Sequence, residues 1–520
     1  MRKILIIITV IMAFLVPKIK AQTDYVLYFM HLPQATDLNP ARQNSCSFYL
    51  GLPGISSISS TYFHRGIRYI DAFDYQHAIV NNTDTIFPID VENLYNRADP
   101  MNYLFIQNKI NLLNFAFWVH DWYFTFDIYH NNNFAFTYPK SIFLLKDGNY
   151  FNDPNQYISL SGLGLDLNIY NSLSLGASKE ITEGLIVGGK IKFLQGFANI
   201  YTKKLNLDWH VNPTNDPNSD WSAYDWIFNT DLDLRTSIPK FTKLDLGLSS
   251  MDFTPDIGQM LSTFVNTSLK NRGLGIDLGA IYNYKDYEFS ASIVDLGFIK
   301  WNVNDTIYKV DNGQFVFPGI DLARYITNYG VAKSLKNSAI RDSIISVAKR
   351  DIIDTIKQQL NLQKEAKSYY TGINTKINIA AAYSPKDWLK LGFLYHAYFF
   401  HNKPLSSYTL SANVNFWYGW NVALSYTMFR RSFNNIGLGL SYRLGPLQMY
   451  LNMDNIAPYA LGLRYLTAYD KPYDQGLATK WVKSSKMFIF HFGLNFVFGC
   501  KDNRNLGLLD DLNMYKSRRR

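Results

Sequence analysis

The chain of 520 residues is poor in cysteine, in charge and in long apolar runs. Its two cysteines, Cys46 and Cys500, make neither a disulfide framework nor a metal cluster; they flank the region of predicted strands, a placement compatible with a single bridge. No apolar run of about 18 residues follows the N-terminus, so no membrane-spanning helix is predicted. The motifs Gly-x-Ser-x-Gly and His-Glu-x-x-His and a phosphate-binding glycine loop are also missing. We therefore predict no enzyme, no metal site and no cofactor.

The charge distribution argues against a nucleic-acid partner. The formal net charge is +9, but residues 1–21 hold four basic and no acidic residues, and Lys501–Arg520 holds six basic and three acidic ones. The body of the chain therefore carries only about +2, which does not indicate a nucleic-acid surface. Residues 1–21 combine Arg2 and Lys3 with the apolar run Ile4–Val16, and we interpret them as a cleaved signal peptide.

Aromatic residues are abundant, and near the C-terminus they follow a regular alternation. They make up 16% of the chain, with 37 Tyr and 36 Phe. Successive side chains of a strand point to opposite faces, so the segment Lys486–Gly499 has one large apolar face and one small or polar face. An apolar outside and a polar inside are typical of a membrane β-barrel strand, and the pattern repeats along most of the chain. The large apolar positions of this segment are Phe488, Phe490, Phe492, Leu494, Phe496 and Phe498.

The same alternation assigns a set of polar and charged residues to the lumen. In the strand predicted at Trp420–Met428, Leu424 takes the outward register and Ser425 the inward one. A charge that faces lipid is costly, so inward placement alone accounts for the charged residues without any ligand. His396 and His491 also face inward, whereas a lipase of the outer membrane needs its Ser and His on the outward face. The predicted lumen-facing residues are Asp277, Glu288, Lys376, Lys390, His396, Arg443 and Asp454.

We predict an all-β fold, a transmembrane antiparallel β-barrel, and the alternating runs count to about 14–16 strands within a range of about 12 to 16. The barrel spans residues 56–499 and is followed by a basic tail, 500–520. Residues 302–367 break the alternation, and Ala332–Gln363 shows a helical period, so we predict a helical insertion on the extracellular side. Gly188, Gly189 and Gly196 lie inside one predicted strand and indicate bends or close packing against a plug.

The order of the strands is less regular in the first half of the chain. Asn131–Asn133 predicts a hairpin turn, because Asn tolerates the positive φ of tight turns. Two further alternating runs lie on either side of Tyr170 and Asn171. With these turns, the strands do not keep strict up-and-down order between residues 139 and 270. Short turns are predicted on the periplasmic side near 384–387, 417–419 and 444–446.

The segment before the barrel, residues 22–55, is rich in turn signals and contains Asn39-Pro40-Ala41. Its stretches PQATDLNPA and GLPGISSIS, together with Asp295–Trp301 (DLGFIKW) and the closing FGLNFVFG, resemble an uncharacterised outer-membrane barrel family of the Bacteroidota. That family is similar to FadL-like fatty-acid transporters and to PorV-like barrels. FadL-like proteins carry Asn-Pro-Ala in an N-terminal segment that plugs the lumen, so the resemblance implies this role for Asn39, Pro40 and Ala41. An ordinary turn at Asn39-Pro40 is the alternative.

The resemblance implies two classes of function for a barrel in the lipid of the outer membrane. One is the uptake or binding of a small apolar compound, as in FadL-like proteins. The other is a structural or accessory barrel that docks a partner protein, as PorV-like barrels do in type IX secretion. The resemblance also implies about 14 strands, and a barrel of that size is too wide for its own side chains to fill, so it needs a plug or it leaks. A passive porin is disfavoured, because the Asn-Pro-Ala segment suggests a plug. In such a plug, Asp37 and Asn39 would bond polar groups of the lumen.

Overall fold

The computed structural model describes residues 26–30, 32–67, 79–80, 85–86, 89–147, 157–214, 223–239, 270–317, 359–401, 403–416, 419–429, 432–456 and 487–500. The signal peptide predicted at 1–21, the tail after Cys500 and nearly all of the helix predicted at Ala332–Gln363 lie outside these residues. One α-helix, Val91–Arg97, begins after Asp90, whose side chain accepts a hydrogen bond from the Asn93 backbone N–H. The 3₁₀ helices are Leu27–Phe29, Pro33–Asp37 and Lys140–Asp147.

None of the described helices is long and apolar enough to cross a membrane.

Fourteen antiparallel strands close into one barrel, the number that the resemblance implies. The first strand has two parts, Cys46–Gly51 and Ile58–Arg65, which both pair with the last strand. The eighth strand also has two parts, Tyr369–Gly372 and Lys376–Lys386. The other barrel strands are Met101–Val119, Trp122–Pro139, Gly164–Thr182, Leu185–Thr214, Arg272–Tyr284, Tyr287–Trp301, Leu389–Phe400, Lys403–Asn415, Trp420–Phe429, Ser432–Leu444, Leu447–Asp454 and Met487–Cys500.

A disulfide joins the two strands that close the barrel. Cys46 and Cys500 are directly opposite each other in the pairing of the first and last strands, and their sulfur atoms are bonded. The bridge connects residues that are 454 positions apart in the chain. The single bridge that the sequence left open is therefore present, and it lies at the seam where the sheet meets itself.

A small sheet extends one side of the barrel beyond its rim. The second half of Leu185–Thr214 pairs with Ala223–Ser237, which in turn pairs with Asp305–Phe317. The start of the predicted insertion, 302–367, is thus a strand rather than a helix, because its residues complete this sheet. The remaining short strands are Ile79–Val80, Thr85–Ile86, Tyr157–Ser159 and Gln363–Glu365.

The hairpin predicted at Asn131–Asn133 is wrong. These three residues lie inside the continuous strand Trp122–Pro139 and pair with a neighbouring strand on each side. The Asn131 amide donates to the Ser172 hydroxyl at 3.2 Å, so cross-strand pairing outweighs the turn preference of asparagine. Tyr170 and Asn171 likewise lie inside a single strand, Gly164–Thr182. Without these breaks the strands alternate up and down throughout.

The strand connections place two-residue turns at one end of the barrel, which we call the short-turn end. The short turns predicted near 384–387, 417–419 and 444–446 lie at this same end, as the pairing of their strands shows. Cys46 and Cys500 also lie at this end. The two-residue turns at this end are 120–121, 183–184, 285–286, 387–388 and 445–446, and the connection 416–419 has four residues; two further two-residue connections, after Phe400 and after Phe429, lie at the opposite end.

The two faces of the barrel wall differ as the sequence predicts. In the last strand the predicted outward residues are partly exposed, whereas Ile489, His491 and Asn495 are buried on the other face. A belt of exposed aromatic side chains surrounds the short-turn end, as expected where a barrel crosses from hydrocarbon to headgroups. This belt includes Trp122, Tyr282, Tyr284, Tyr287, Tyr383 and Trp420.

Candidate functional site

The described part of residues 26–45, here called the N-terminal segment, lies against inward-facing residues of the barrel. Val26 to Phe29 are at most 1% exposed. The Val26 backbone N–H donates to Asp454 at 3.2 Å, and the Gln34 amide donates to Asn495 at 2.8 Å. The predicted boundary at residue 55 lies too far along the chain, because Cys46–Gly51 already belongs to the barrel wall.

Asn39, Pro40 and Ala41 lie at the centre of these contacts. Asn39 is fully buried, and its amide donates to the carbonyl oxygens of Ala280 and Ala291, each at 3.4 Å. The Asn39 side-chain oxygen accepts from the backbone N–H of Ala41 at 2.9 Å. One side chain therefore holds the local turn and also bonds two adjacent barrel strands. The motif therefore forms a local turn and also contacts the lumen, so these two interpretations are compatible.

Two glycines of the wall make room for this motif. At Gly188 a Cβ atom would collide with the Pro40 carbonyl, and at Gly279 it would collide with the Asn39 side-chain oxygen. Gly188 is one of the glycines for which the sequence indicated close packing, and Gly196 packs in the same way against the Trp301 ring. A side chain at Gly188 or Gly279 would leave no space for the N-terminal segment in its present position.

Ion pairs that are buried or partly buried link the N-terminal segment to one side of the wall. The Asp37 carboxylate lies 2.8 Å from the Lys109 Nζ and 3.2 Å from the Lys190 Nζ. Lys190 also contacts Asp127, which lies two strands away in the sheet, at 2.8 Å. Removing one partner of a buried pair leaves an uncompensated charge, so these contacts fix the position of the segment strongly.

A second group of ion pairs includes predicted lumen-facing residues. Arg42 of the N-terminal segment contacts Glu288 at 2.6 Å, and the other oxygen of Glu288 contacts Lys390 at 3.0 Å. Each charge in this group therefore has a partner of opposite sign. Such pairing is the arrangement that inward placement alone requires, without a ligand.

A bulge places a third group of charges in the lumen. Asp295 has a positive φ of 59°, and the outward register changes from odd to even residues across it. The Asp277 carboxylate accepts from the Asp295 backbone N–H at 2.7 Å and lies 2.8 Å from the Lys192 Nζ. Asp295 also contacts Lys376 at 3.0 Å. The bulge thereby brings two carboxylates and two lysines together.

The remaining predicted residues have ordinary structural partners or lie near the rim. The His396 ring is fully buried and lies 2.6 Å from the Asn378 side-chain oxygen. Arg443 is partly buried near the short-turn end, where its backbone N–H donates to Gly419 at 3.1 Å. His491 contacts the hydroxyls of Ser57 at 2.8 Å and Tyr450 at 3.0 Å.

One cavity lies beside the N-terminal segment, and a second lies farther from it. The inner cavity measures about 90 Å³ and is lined by charged residues that include Lys109, Lys192 and Asp295. The outer cavity measures about 290 Å³ and is lined by residues farther from the short-turn end, among them Phe105 and Phe400. In the part of the chain that the structure describes, no group of three His, Cys, Asp or Glu side chains could hold a metal ion.

Several residues of this site were missed by sequence reasoning. Lys190 and Lys192 alternate with the outward-facing Ile191, which is 56% exposed, so their inward register could have been inferred. Asp127 pairs with Lys190 across two strands, and no pattern in the sequence indicates that partnership. Because a hairpin was predicted at Asn131–Asn133, the sequence did not predict that this part of the wall is one continuous strand.

Comparison with protein families places the chain among known sequences. A family model described as "Family of unknown function (DUF5723)" matches residues 40–454. The chain belongs to the DUF5723 family. Its match begins at Pro40, inside the Asn-Pro-Ala motif, and covers most of the barrel. No curated protein matches this DUF5723 chain.

Solved structures of barrels align with the DUF5723 chain at low identity. The FadL homologue of Pseudomonas aeruginosa is 9% identical, with 93% of this chain and 99% of that chain covered and a TM-score of 0.37. The toluene transporter TodX of Pseudomonas putida is 7% identical, with 89% and 91% covered and a TM-score of 0.33. The toluene transporter TbuX of Ralstonia pickettii is 9% identical, with 86% and 91% covered and a TM-score of 0.30. Scores this low carry no function over to this chain.

Proposed function

We propose that this DUF5723 protein is an outer-membrane channel for a small compound and that its N-terminal segment closes the lumen. The observation that carries the proposal is the set of buried contacts of Asp37, Asn39 and Arg42 with inward-facing residues. Irregular backbone is tolerated at membrane depth only inside protein or in a water-filled cavity, and a barrel of about 14 strands offers such an interior.

The outer cavity is lined by aromatic and polar residues of the inward face, an arrangement that suits a compound with an apolar body and polar groups; the FadL-like resemblance implies an apolar compound. The inward-facing lining includes Phe105, Tyr201 and Phe400 together with Asn133, Asn168 and Asn199. Small-molecule sites are typically concave and mainly apolar, with a few polar groups that fix the orientation of the ligand. The accessory role that the PorV-like resemblance implies stays a prediction, and the experiments below distinguish it from uptake.

Removing the part of the N-terminal segment that crosses the lumen tests the channel. Deletion of Pro33–Ala41 removes Asp37 and Asn39 together with their contacts to the wall. We expect the intact protein to be nearly silent in planar bilayers and the deletion variant to conduct steadily, with the barrel still folded. An intact protein that already conducts like an open porin, and is unchanged by the deletion, would refute closure by this segment.

Purification in detergent followed by mass spectrometry tests the class of function. A co-purifying lipid-like compound supports uptake of an apolar molecule. A protein that co-purifies in stoichiometric amount supports the accessory role instead.

A further inference from the structure

We propose that Gln107 and Tyr398 form a second barrier, which separates the outer cavity from the inner one. This inference rests on the proposed channel function and names the residues that determine which solutes pass. The Gln107 amide donates to the Tyr398 hydroxyl at 2.7 Å, and Tyr398 is fully buried. Both residues line both cavities.

The bond between these residues crosses the lumen. Gln107 lies on Met101–Val119, the second barrel strand, and Tyr398 lies on Leu389–Phe400, the ninth of the fourteen. Neither strand pairs with the other, and each pairs with different neighbours. In a closed sheet of this order the two strands stand on opposite sides, so their side chains meet through the interior.

Aromatic rings reinforce the same crossing. The ring of Phe105 lies 4.8 Å from that of Phe400, with an interplanar angle of 87°, and 6.1 Å from that of Tyr398. Edge-to-face pairs of this kind stabilise a contact beyond the area that they bury. Two residues of one wall therefore contact two residues of the opposite wall, and the crossing is a packed contact rather than a lone hydrogen bond.

The crossing lies at the boundary between the cavities. On Met101–Val119, the inner cavity is lined by Lys109 and the outer cavity by Phe105, with Gln107 shared by both. On Trp122–Pro139, Asn133 is shared in the same way, with inner residues toward the short-turn end and outer residues beyond it. The shared residues are Gln107, Asn133, Asn374 and Tyr398.

The chemistry of the lining changes at this boundary. Five charged residues line the inner cavity, namely Asp37, Lys109, Lys192, Asp295 and Lys376, whereas Asp166 and His401 are the titratable residues besides tyrosine that line the outer one. Selectivity in a pore follows from its diameter and from the hydrogen-bonding groups that line it. A compound that passes inward must displace the Gln107–Tyr398 bond and then enter a polar compartment. The channel therefore has two barriers in series, the crossing and the N-terminal segment.

Size-dependent permeation in the variant without Pro33–Ala41 tests the second barrier. Proteoliposomes that hold this variant would be assayed by swelling in arabinose, glucose and sucrose, and by single-channel conductance. We expect Tyr398→Ala in this background to raise conductance and sugar entry several-fold, because it removes the ring and the bond together. Tyr398→Phe should give a smaller rise, because the ring remains. Tyr395→Ala, on the opposite face of the same strand, should change nothing; its ring lies 5.5 Å from that of Tyr408.

The outcomes separate the two proposals. If the deletion variant conducts and neither Tyr398 substitution alters conductance or sugar entry, the second barrier is refuted while the channel stands. If the deletion variant is silent and Tyr398→Ala opens both it and the full chain, the crossing alone closes the lumen and closure by the N-terminal segment is refuted. If the folded double variant stays silent, both proposals fail. In the full chain, Tyr398→Ala should remain closed, and an open channel there would contradict two barriers in series.

Discussion

At the scale of single residues, one step along a strand moves a side chain from lipid to lumen. Leu424 is 51% exposed and Ser425 is 4% exposed, although they are adjacent in the chain. The reason is the period of two of a strand, which makes the register of a wall strand readable from its sequence. A charged substitution should therefore destabilise the barrel much more at Leu424 than at Ser425.

We expect Leu424→Arg to prevent folding of the barrel or to lower its free energy of unfolding by about 2–4 kcal/mol, because the guanidinium would face hydrocarbon near a strand centre. Ser425→Arg should be far milder, since its side chain points into the lumen. Urea unfolding in detergent or lipid vesicles measures both variants. Equal losses in the two variants would contradict the register of this strand.

At the scale of elements, the N-terminal segment fits the wall through glycines rather than through a complementary strand. Gly188 and Gly189 are adjacent, but a Cβ at Gly188 would collide with Pro40, whereas a Cβ at Gly189 would make only ordinary contacts with Asp277 and Leu278. The pair offers a matched test of docking that leaves the N-terminal segment itself unchanged.

We expect Gly188→Val to displace the N-terminal segment and to open the channel in planar bilayers, because the new side chain occupies the space of the Pro40 carbonyl. Gly189→Val should leave conductance unchanged. Both variants must show the gel mobility of a folded barrel for the comparison to be valid. A closed channel in folded Gly188→Val would contradict closure by the N-terminal segment at this position.

At the scale of the whole molecule, the barrel is closed by both hydrogen bonds and a covalent bond. The first and last strands pair along their length, and Cys46–Cys500 joins them at the short-turn end. A cross-link between distant residues restricts the unfolded chain, and the effect grows with the size of the closed loop. This loop contains almost the whole barrel.

We expect the protein in the outer-membrane fraction, with an unheated sample that migrates differently from a heated one. Among heated samples, the one without reductant should migrate faster, because the bridge keeps the unfolded chain compact; Cys46→Ser should abolish that difference. Recovery in the soluble periplasm would contradict the membrane barrel. Identical mobility of the heated samples with and without reductant would contradict the bridge.

The predicted number of about 14 barrel strands came from the resemblance, but the sequence by itself determined the fold class and the register of the later strands. These features depend on alternation, which each strand carries in its own residues: in the last strand, Phe488 and His491 take opposite faces whatever their neighbours are. A short motif and a resemblance, rather than alternation, identified Asn39, Pro40 and Ala41 as a unit. Alternation failed at Asn131–Asn133, where local turn preference opposed pairing with two neighbouring strands.

Only the tertiary structure decided which residues meet across the lumen. Gln107 and Tyr398 are 291 positions apart, and Cys46 and Cys500 are 454 apart, so no local pattern contains either contact. Such contacts depend on how the sheet closes, because closure brings residues from opposite walls to one level. The alternation of a strand predicts that a side chain points inward, and the closed barrel determines which residues that side chain contacts.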